Sequence, residues 1–289
     1  MSENFERLAG LIETSTLRNA RGVIYAITEH QSKVLTEDEA GRFLDRQLGL
    51  IQFFLMSLWL VKDNSVNIEL GFLEHPYGNP FGSSVTSNFR AVRFCEASGA
   101  ILDCEFTEKE VRLARDFYKL FEANAVQLGD KNMGYVVPTD FTRFDRVLYF
   151  AQAARHSGNL GLKIANYVTC FECLFCTDSA ELTHKLSDRV ALFLGTTPEE
   201  RMEMFKAAKA AYTIRSKTVH GDTLTKKLAD DAANIAMKCD NMLREIIKRV
   251  LTTPELLEIF IGPAQKLEDY LNDLIFGASG AKINESSTT

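Results

Sequence analysis

The chain of 289 residues lacks a run of apolar residues long enough to span a bilayer. Its most apolar stretch, 48–61, is fourteen residues long and is interrupted by Gln52 and Ser57, whereas a spanning helix needs about 20. That stretch is expected to be a buried helix. There is no secretory leader pattern and no polybasic tail, so a cytoplasmic protein with no membrane partner is expected. Positive charge is not in excess either: 33 Lys and Arg stand against 39 Asp and Glu, for a net charge of −6. A surface that is basic all over is excluded, and any site for a polyanion must be local. Region 198–252, with 11 basic against 8 acidic residues, is the mildly basic exception. No internal repeat is visible, and the first 135 residues hold no Gly-rich phosphate loop, metal-ligand cluster or nucleophile elbow.

What is present is ordinary core material. Hydrophobic residues make up 46% of the chain, enough for one large or two medium domains. Residues 1–35 show no decisive period. Thr36 and Glu39 form a capping box that opens a long helix to residue 61, and Asp63-Asn64-Ser65 ends it. Segments 66–73, 90–96 and 101–106 have the β-branched and aromatic content of strands, separated by turn residues, and predict a small antiparallel sheet. Loop 75–82 is rich in turn residues. A second capping box, Thr107 with Glu110, starts a helix to about 126, and 129–138 reads as a linker. Helices are then expected at 140–157, 160–176, 180–195, 198–220, 225–252 and 263–276, which with short connections make a bundle. The expected fold class is α+β and mostly helical. An N-terminal domain (1–135) has long helices and a small sheet, a C-terminal helical bundle covers 136–276, and a Gly/Ser/Thr-rich tail (277–289) is expected to be disordered.

The six cysteines are expected to be free thiols. Cys170, Cys173 and Cys176 are three apart, but at helical spacing their sulfurs spread around the helix and no adjacent histidine completes a zinc set. No metal and no cofactor are expected.

The segment 212–221, Tyr-Thr-Ile-Arg-Ser-Lys-Thr-Val-His-Gly, places the permanent cation Arg215 and the titratable His220 near the end of one helix. An i, i+5 separation turns the two Cα–Cβ vectors about 140° apart. Ser216 and Lys217, at i−4 and i−3 from His220, are its same-face neighbours. A phosphate bound there would meet imidazole, hydroxyl and ammonium together. The alternative is equally concrete: Gly221 is a helix C-cap signal, and basic residues in a last turn are favoured by the helix dipole alone.

Upstream, 175–191 reads Phe-Cys-Thr-Asp-Ser-Ala-Glu-Leu-Thr-His-Lys-Leu-Ser-Asp-Arg-Val-Ala. Together with arginine, four residues, then histidine in Ile-Arg-Ser-x-x-Val-His-Gly, this wording resembles the ApeA-like branch of the HEPN superfamily of ribonucleases and RNA-binding helical domains. The resemblance covers about 140–276, and its specific words lie within 172–221. It implies a HEPN-like bundle and a metal-independent endoribonuclease, in a setting similar to antiviral defence or toxin modules. Arg215 would hold the scissile phosphate and His220 would do the proton transfer. Because one histidine fills one proton-transfer role per step, a two-fold dimer through the helical half would supply base and acid from two copies.

The implied partners are RNA, a second copy of the chain and a possible regulatory protein. RNA contact is expected from Ser216, Lys217, Lys185 and Arg189, with Lys185 and Arg189 four apart on one face. A polar network of Tyr212, Glu172, Asp178, Glu181 and His184 is expected beside Arg215. The plainer reading of those residues is solvated helix faces, with His184–Asp188 and Glu181–Lys185 as i, i+4 pairs. The residue after the motif arginine, Ser216, departs from the Asn, Asp or His common in catalytic HEPN motifs and cannot act as acid or base near neutral pH. A non-catalytic RNA-binding or protein-interaction module is therefore the alternative.

Overall fold

A computed structural model describes residues 3–27, 34–68, 70–76, 82–89, 93–124, 141–177 and 182–277. The chain is mostly helical with one small antiparallel sheet, in agreement with the expected class. It divides into two compact units, Met1–Phe53 with Asn67–Arg93, and Phe54–Val66 with Phe94–Thr289. The expected linker (129–138) and tail lie outside the described residues, apart from Gly277.

The first unit contains α1 (Glu3–Ala9), α2 (Leu11–Asn19), the first part of α3 (Glu37–Val61), β1 (Leu70–Pro76) and β2 (Ser83–Phe89). The expected capping box starts α3: the Thr36 N–H donates to Glu39 Oε2 at 3.0 Å and the Glu39 N–H returns to Thr36 Oγ1 at 3.2 Å. β1 and β2 pair antiparallel, from Leu70 opposite Phe89 to Pro76 opposite Ser83.

This pairing corrects the strand expectation. Strand 66–73 is displaced toward Pro76, taking in buried His75, and its partner is the Ser/Thr-rich 83–89 rather than 90–96. Segments 93–96 and 101–106 are irregular and belong to no sheet among the described residues. Their backbone groups are satisfied elsewhere, as buried groups must be. The Cys95 N–H donates to the Arg155 carbonyl at 2.9 Å, the Ala97 N–H to Asp63 Oδ2 at 2.9 Å, and the Leu102 N–H to Ser65 Oγ at 3.0 Å.

The second unit is built around α6 (Leu160–Phe175). Its Ile164, Tyr167, Val168, Cys170, Phe171, Leu174 and Phe175 are completely buried, apolar on nearly every side, and it touches α5 (Arg143–His156), α7 (Leu182–Leu194), α8 (Pro198–His220) and α10 (Ala232–Thr252). A helix with this many buried side chains and four helical neighbours is a central helix. Helix α4 (Glu108–Ala123), with its Thr107–Glu110 capping box, packs on α10. Beyond α10 come α11 (Pro254–Ile261) and α12 (Ala264–Phe276). The expected helix 225–252 is two: α9 (Lys226–Asp230) and α10, broken at Asp231. Helix α11 was not expected, although Thr253-Pro254-Glu255 carries the N-cap and N1-proline signal that marks its start.

Cationic side chains close several helix C-termini, where four carbonyls lack intrahelical partners and the dipole is negative. Lys163 Nζ donates to the Ala154 carbonyl of α5 at 2.9 Å. Arg143 donates to Cys173 and Cys176 at the end of α6 at 2.7 and 2.9 Å, and Arg249 to Phe193 and Leu194 at the end of α7 at 2.7 and 3.2 Å.

By length and composition α3 is the one helix among the described residues apolar enough to cross a membrane. Within the protein Ala40, Leu44, Leu48 and the run 55–60 are buried as core.

Candidate functional site

Helix α8 carries the motif and begins at Thr197, whose hydroxyl accepts the Glu200 N–H at 3.2 Å, with Pro198 at the first helical position. Ala207, Ala208, Ala211 and Ile214 form its buried stripe against α6, α7 and α10. Small side chains let α8 approach closely, and at its C-terminal end Gly161 of α6 extends this contact. A Cβ at Gly161 would lie 2.8 Å from Thr218 Oγ1 and 3.1 Å from Thr218 Cγ2. The absence of a side chain at position 161 thus sets how closely the last turn of α8 meets α6.

Arg215 follows the last residue of that stripe and is half-buried. Its Nη2 donates to Glu172 Oε2 of α6 at 3.4 Å, and its guanidinium carbon lies 5.7 Å from the Tyr212 ring centre. Burial pushes the Glu172 carboxyl up, and Arg215 pulls it partly back. The other oxygen, Glu172 Oε1, is buried and has no hydrogen-bond partner among the described residues. Three residues of the expected set, Arg215, Tyr212 and Glu172, are therefore together.

His220 is the last residue of α8 and is exposed. Among the described residues no hydrogen bond or ion pair joins it to Arg215, as the 140° divergence leads one to expect. Gly221 caps the helix in the left-handed conformation at φ 78°, the Asp222 N–H closes on the Lys217 carbonyl at 2.8 Å, and Lys217 Nζ donates to the Thr223 carbonyl at 3.1 Å. The Gly221 cap signal is realised in full, and the Lys217 ammonium takes part in this helix end. Ser216 is partly exposed beside it.

The remaining expected residues separate. His184 pairs with Asp188 at 2.7 Å, the anticipated i, i+4 contact, and its ring packs edge-on against Phe205 of α8 at 5.4 Å. Asp178 and Glu181 lie outside the described residues. Lys185 lies near Glu268, whose carboxyl burial would raise but Thr177, Arg189 and Lys185 hold below its usual range. Arg189 requires a correction as an RNA contact. Its side chain is 1% exposed, Nη1 donates to the Phe175 carbonyl at 2.5 Å, and Nη2 meets Glu268 Oε1 at 2.7 Å. It closes the end of α6 against α12 and offers no face to a polyanion.

A second polar cluster, not anticipated from the sequence, is buried in the second unit. Asp240 Oδ1 accepts from Trp59 Nε1 and from the Tyr167 hydroxyl, both at 2.8 Å, and Asp240 Oδ2 from Arg244 Nε at 2.8 Å. Asp63 is pushed up to about 6 by burial and by Asp240, against the Ala97 N–H and Arg244. Arg155 is 1% exposed. It donates to the Asn64 carbonyl at 3.1 Å and stacks on Phe94 at 4.1 Å, and burial lowers it to about 10. His156, stacked on Phe94 at 4.5 Å, is lowered to about 4 by burial and by the charges of Arg155 and Lys163. Locally Asp63-Asn64-Ser65 and Arg155-His156 read as helix ends, and no local pattern connects them to Tyr167 or Asp240. Perturbed groups mark functional sites and structural ion networks alike. Here both Asp240 oxygens are occupied by protein donors, which is a structural arrangement.

No group of three or more His, Cys, Asp or Glu suited to a metal occurs among the described residues. The chain matches no protein-family model, no curated protein and no solved structure.

Proposed function

We propose that this protein is a metal-independent endoribonuclease of the HEPN type, acting through Arg215 and His220 in a homodimer. The observation that carries the reading is the state of Arg215. Unlike Arg143, Arg189 and Arg249, it closes no helix end; it is held by a carboxylate and an aromatic ring and remains partly exposed, with guanidinium donors to spare for a phosphate. His220, exposed five residues further on, is placed to take the 2′-hydroxyl proton or to protonate the leaving 5′-oxygen, while Arg215 stabilises the charge on the phosphorane between them. The second copy supplies the other proton-transfer group. By analogy with the superfamily, the setting is RNA-targeting defence or a toxin module.

The experiment is cleavage of RNA by the purified chain in excess EDTA, with analysis of the product ends. Cleavage that survives chelation and leaves 2′,3′-cyclic phosphate or 3′-phosphate ends supports the reading. Activity that needs magnesium and leaves 3′-hydroxyl ends overturns it, as does an active protein that stays monomeric.

A second reading is favoured by the cap itself. Lys217, at the end of α8, satisfies a carbonyl beyond it, and the residue after Arg215 is a serine. That arrangement suits an RNA-binding or protein-interaction module without turnover.

A further inference from the structure

We infer that Glu172 is the positioning residue for Arg215, fixing the guanidinium where a phosphate will meet it; this rests on the ribonuclease reading above. The pair differs from the exposed ion pairs of the surface and stands with the part-buried Arg189–Glu268 and Arg244–Asp240. Surface pairs such as Arg112–Glu108 leave both side chains more than 60% exposed, whereas Arg215 and Glu172 are 27% and 19% exposed. Solvent screens the Arg215–Glu172 contact less, so the carboxylate has real directional hold on the cation.

Glu172 is less fully bonded than the structural carboxylate Asp240. A carboxylate installed to strengthen the fold has both oxygens occupied, as Asp240 does with Trp59, Tyr167 and Arg244. Glu172 leaves Oε1 buried and unpartnered among the described residues, an arrangement that works against stability. Its one side-chain hydrogen bond among the described residues comes from Arg215. A part-buried carboxylate whose side-chain hydrogen bond goes to a candidate site residue is placed to position it.

The geometry also leaves Arg215 able to act. An arginine has five N–H donors, and the 3.4 Å contact to Glu172 occupies one. The Tyr212 ring on the same helix bounds the guanidinium as well. Holding a flexible arginine in place before the substrate arrives removes rotamer entropy from the chemical step. Losing that hold therefore shows in turnover more than in binding.

The test compares the wild-type chain, Glu172→Gln, Glu172→Asp, Arg215→Lys and Glu172→Gln/Arg215→Lys in RNA cleavage, RNA binding and thermal melting. Glu172→Gln keeps the shape and removes the charge. It is expected to lower kcat about tenfold, to leave KM and RNA affinity within about threefold, and to leave the melting temperature unchanged or raised. Glu172→Asp, which keeps the charge one methylene further back, should lose less. The double variant should be no slower than Arg215→Lys alone, because Glu172 acts through Arg215. If Glu172→Gln cleaves at the wild-type rate, if the two losses multiply, or if the rate falls only in step with a lowered melting temperature, the positioning role is overturned. A wild-type chain that does not cleave RNA defeats the ribonuclease reading and takes this inference with it.

Discussion

The indole N–H of Trp59 donates to Asp240 Oδ1 at 2.8 Å across 181 positions of sequence. Both side chains are buried, at 0% and 1% exposure. The same oxygen accepts the Tyr167 hydroxyl, and the partner oxygen accepts Arg244. One carboxylate thus joins the C-terminal part of α3 to α6 and α10.

Replacing Asp240 by Ala is expected to leave an indole N–H, a phenol and a guanidinium without their acceptor at once. Breaking a buried pair from one side costs about 3–5 kcal/mol, so the melting temperature should fall by on the order of 10 °C. Thermal melting followed by near-UV circular dichroism, which reports the chain's one tryptophan, measures it. A shift of only a degree or two would mean that the network contributes little.

Asp63 has the opposite sign. Its carboxyl is raised from 3.8 to about 6, so the native state binds the proton more tightly than the unfolded state. The charged form is penalised fully above pH 6, and the penalty is relieved as pH falls through 6 toward 3.8. Asp63→Asn, whose amide oxygen can still accept the Ala97 N–H, is expected to stabilise the protein at pH 7 by about 1 kcal/mol after allowance for partial exposure. It should also flatten the stability profile between pH 4 and 6. Denaturant melts at pH 4.5 and 7 decide it; a less stable variant at pH 7 counts against the assignment.

Gly161→Ala would place a methyl group 2.8 Å from Thr218 Oγ1, so the end of α8 must shift. The expected result is a loss of about 1–3 kcal/mol together with reduced RNA cleavage, since Thr218 lies between Arg215 and His220. Adding Thr218→Ala removes the two closest atoms, leaving Asn159 Oδ1 at 3.3 Å, and should restore most of the stability. Failure of the second substitution to rescue the first would show that the clash is not with Thr218.

His220→Ala separates chemistry from capping. On the proposed function it abolishes cleavage while RNA affinity stays within a few-fold and stability within about 1 kcal/mol, the usual range for an exposed helix-end residue. Arg215→Ala should lose turnover and some binding together, because it contacts the phosphate in ground and transition states alike. A lowered melting temperature for His220→Ala with cleavage untouched would favour the non-catalytic module.

Local signals were legible wherever the physics is local. The capping boxes at Thr36, Thr107 and Thr197, the proline at 198 and the glycine at 221 place the starts of α3, α4 and α8 and the end of α8 within a residue or so of where they stand, because a cap concerns only the neighbouring turn. The i, i+4 pair of His184 with Asp188 was legible for the same reason. The β partner was not. A strand as polar as 83–89 has no apolar period, and the apolar segments 93–96 and 101–106 bond to helix ends and side chains instead of to a sheet.

By itself the sequence determined the helical character of the chain, most helix boundaries and the placing of Arg215 and His220 at the end of one helix. Tertiary structure alone decided the remainder. It assigned 54–66 and 94–107 to the same unit as the C-terminal helices, turned Arg189 inward to close α6, and brought Glu172 to Arg215 from 43 positions away. The reason is physical. Caps and helical periods are set by neighbours within one or two turns, whereas a buried charge takes whichever partner packing brings within hydrogen-bond reach, at any separation along the chain.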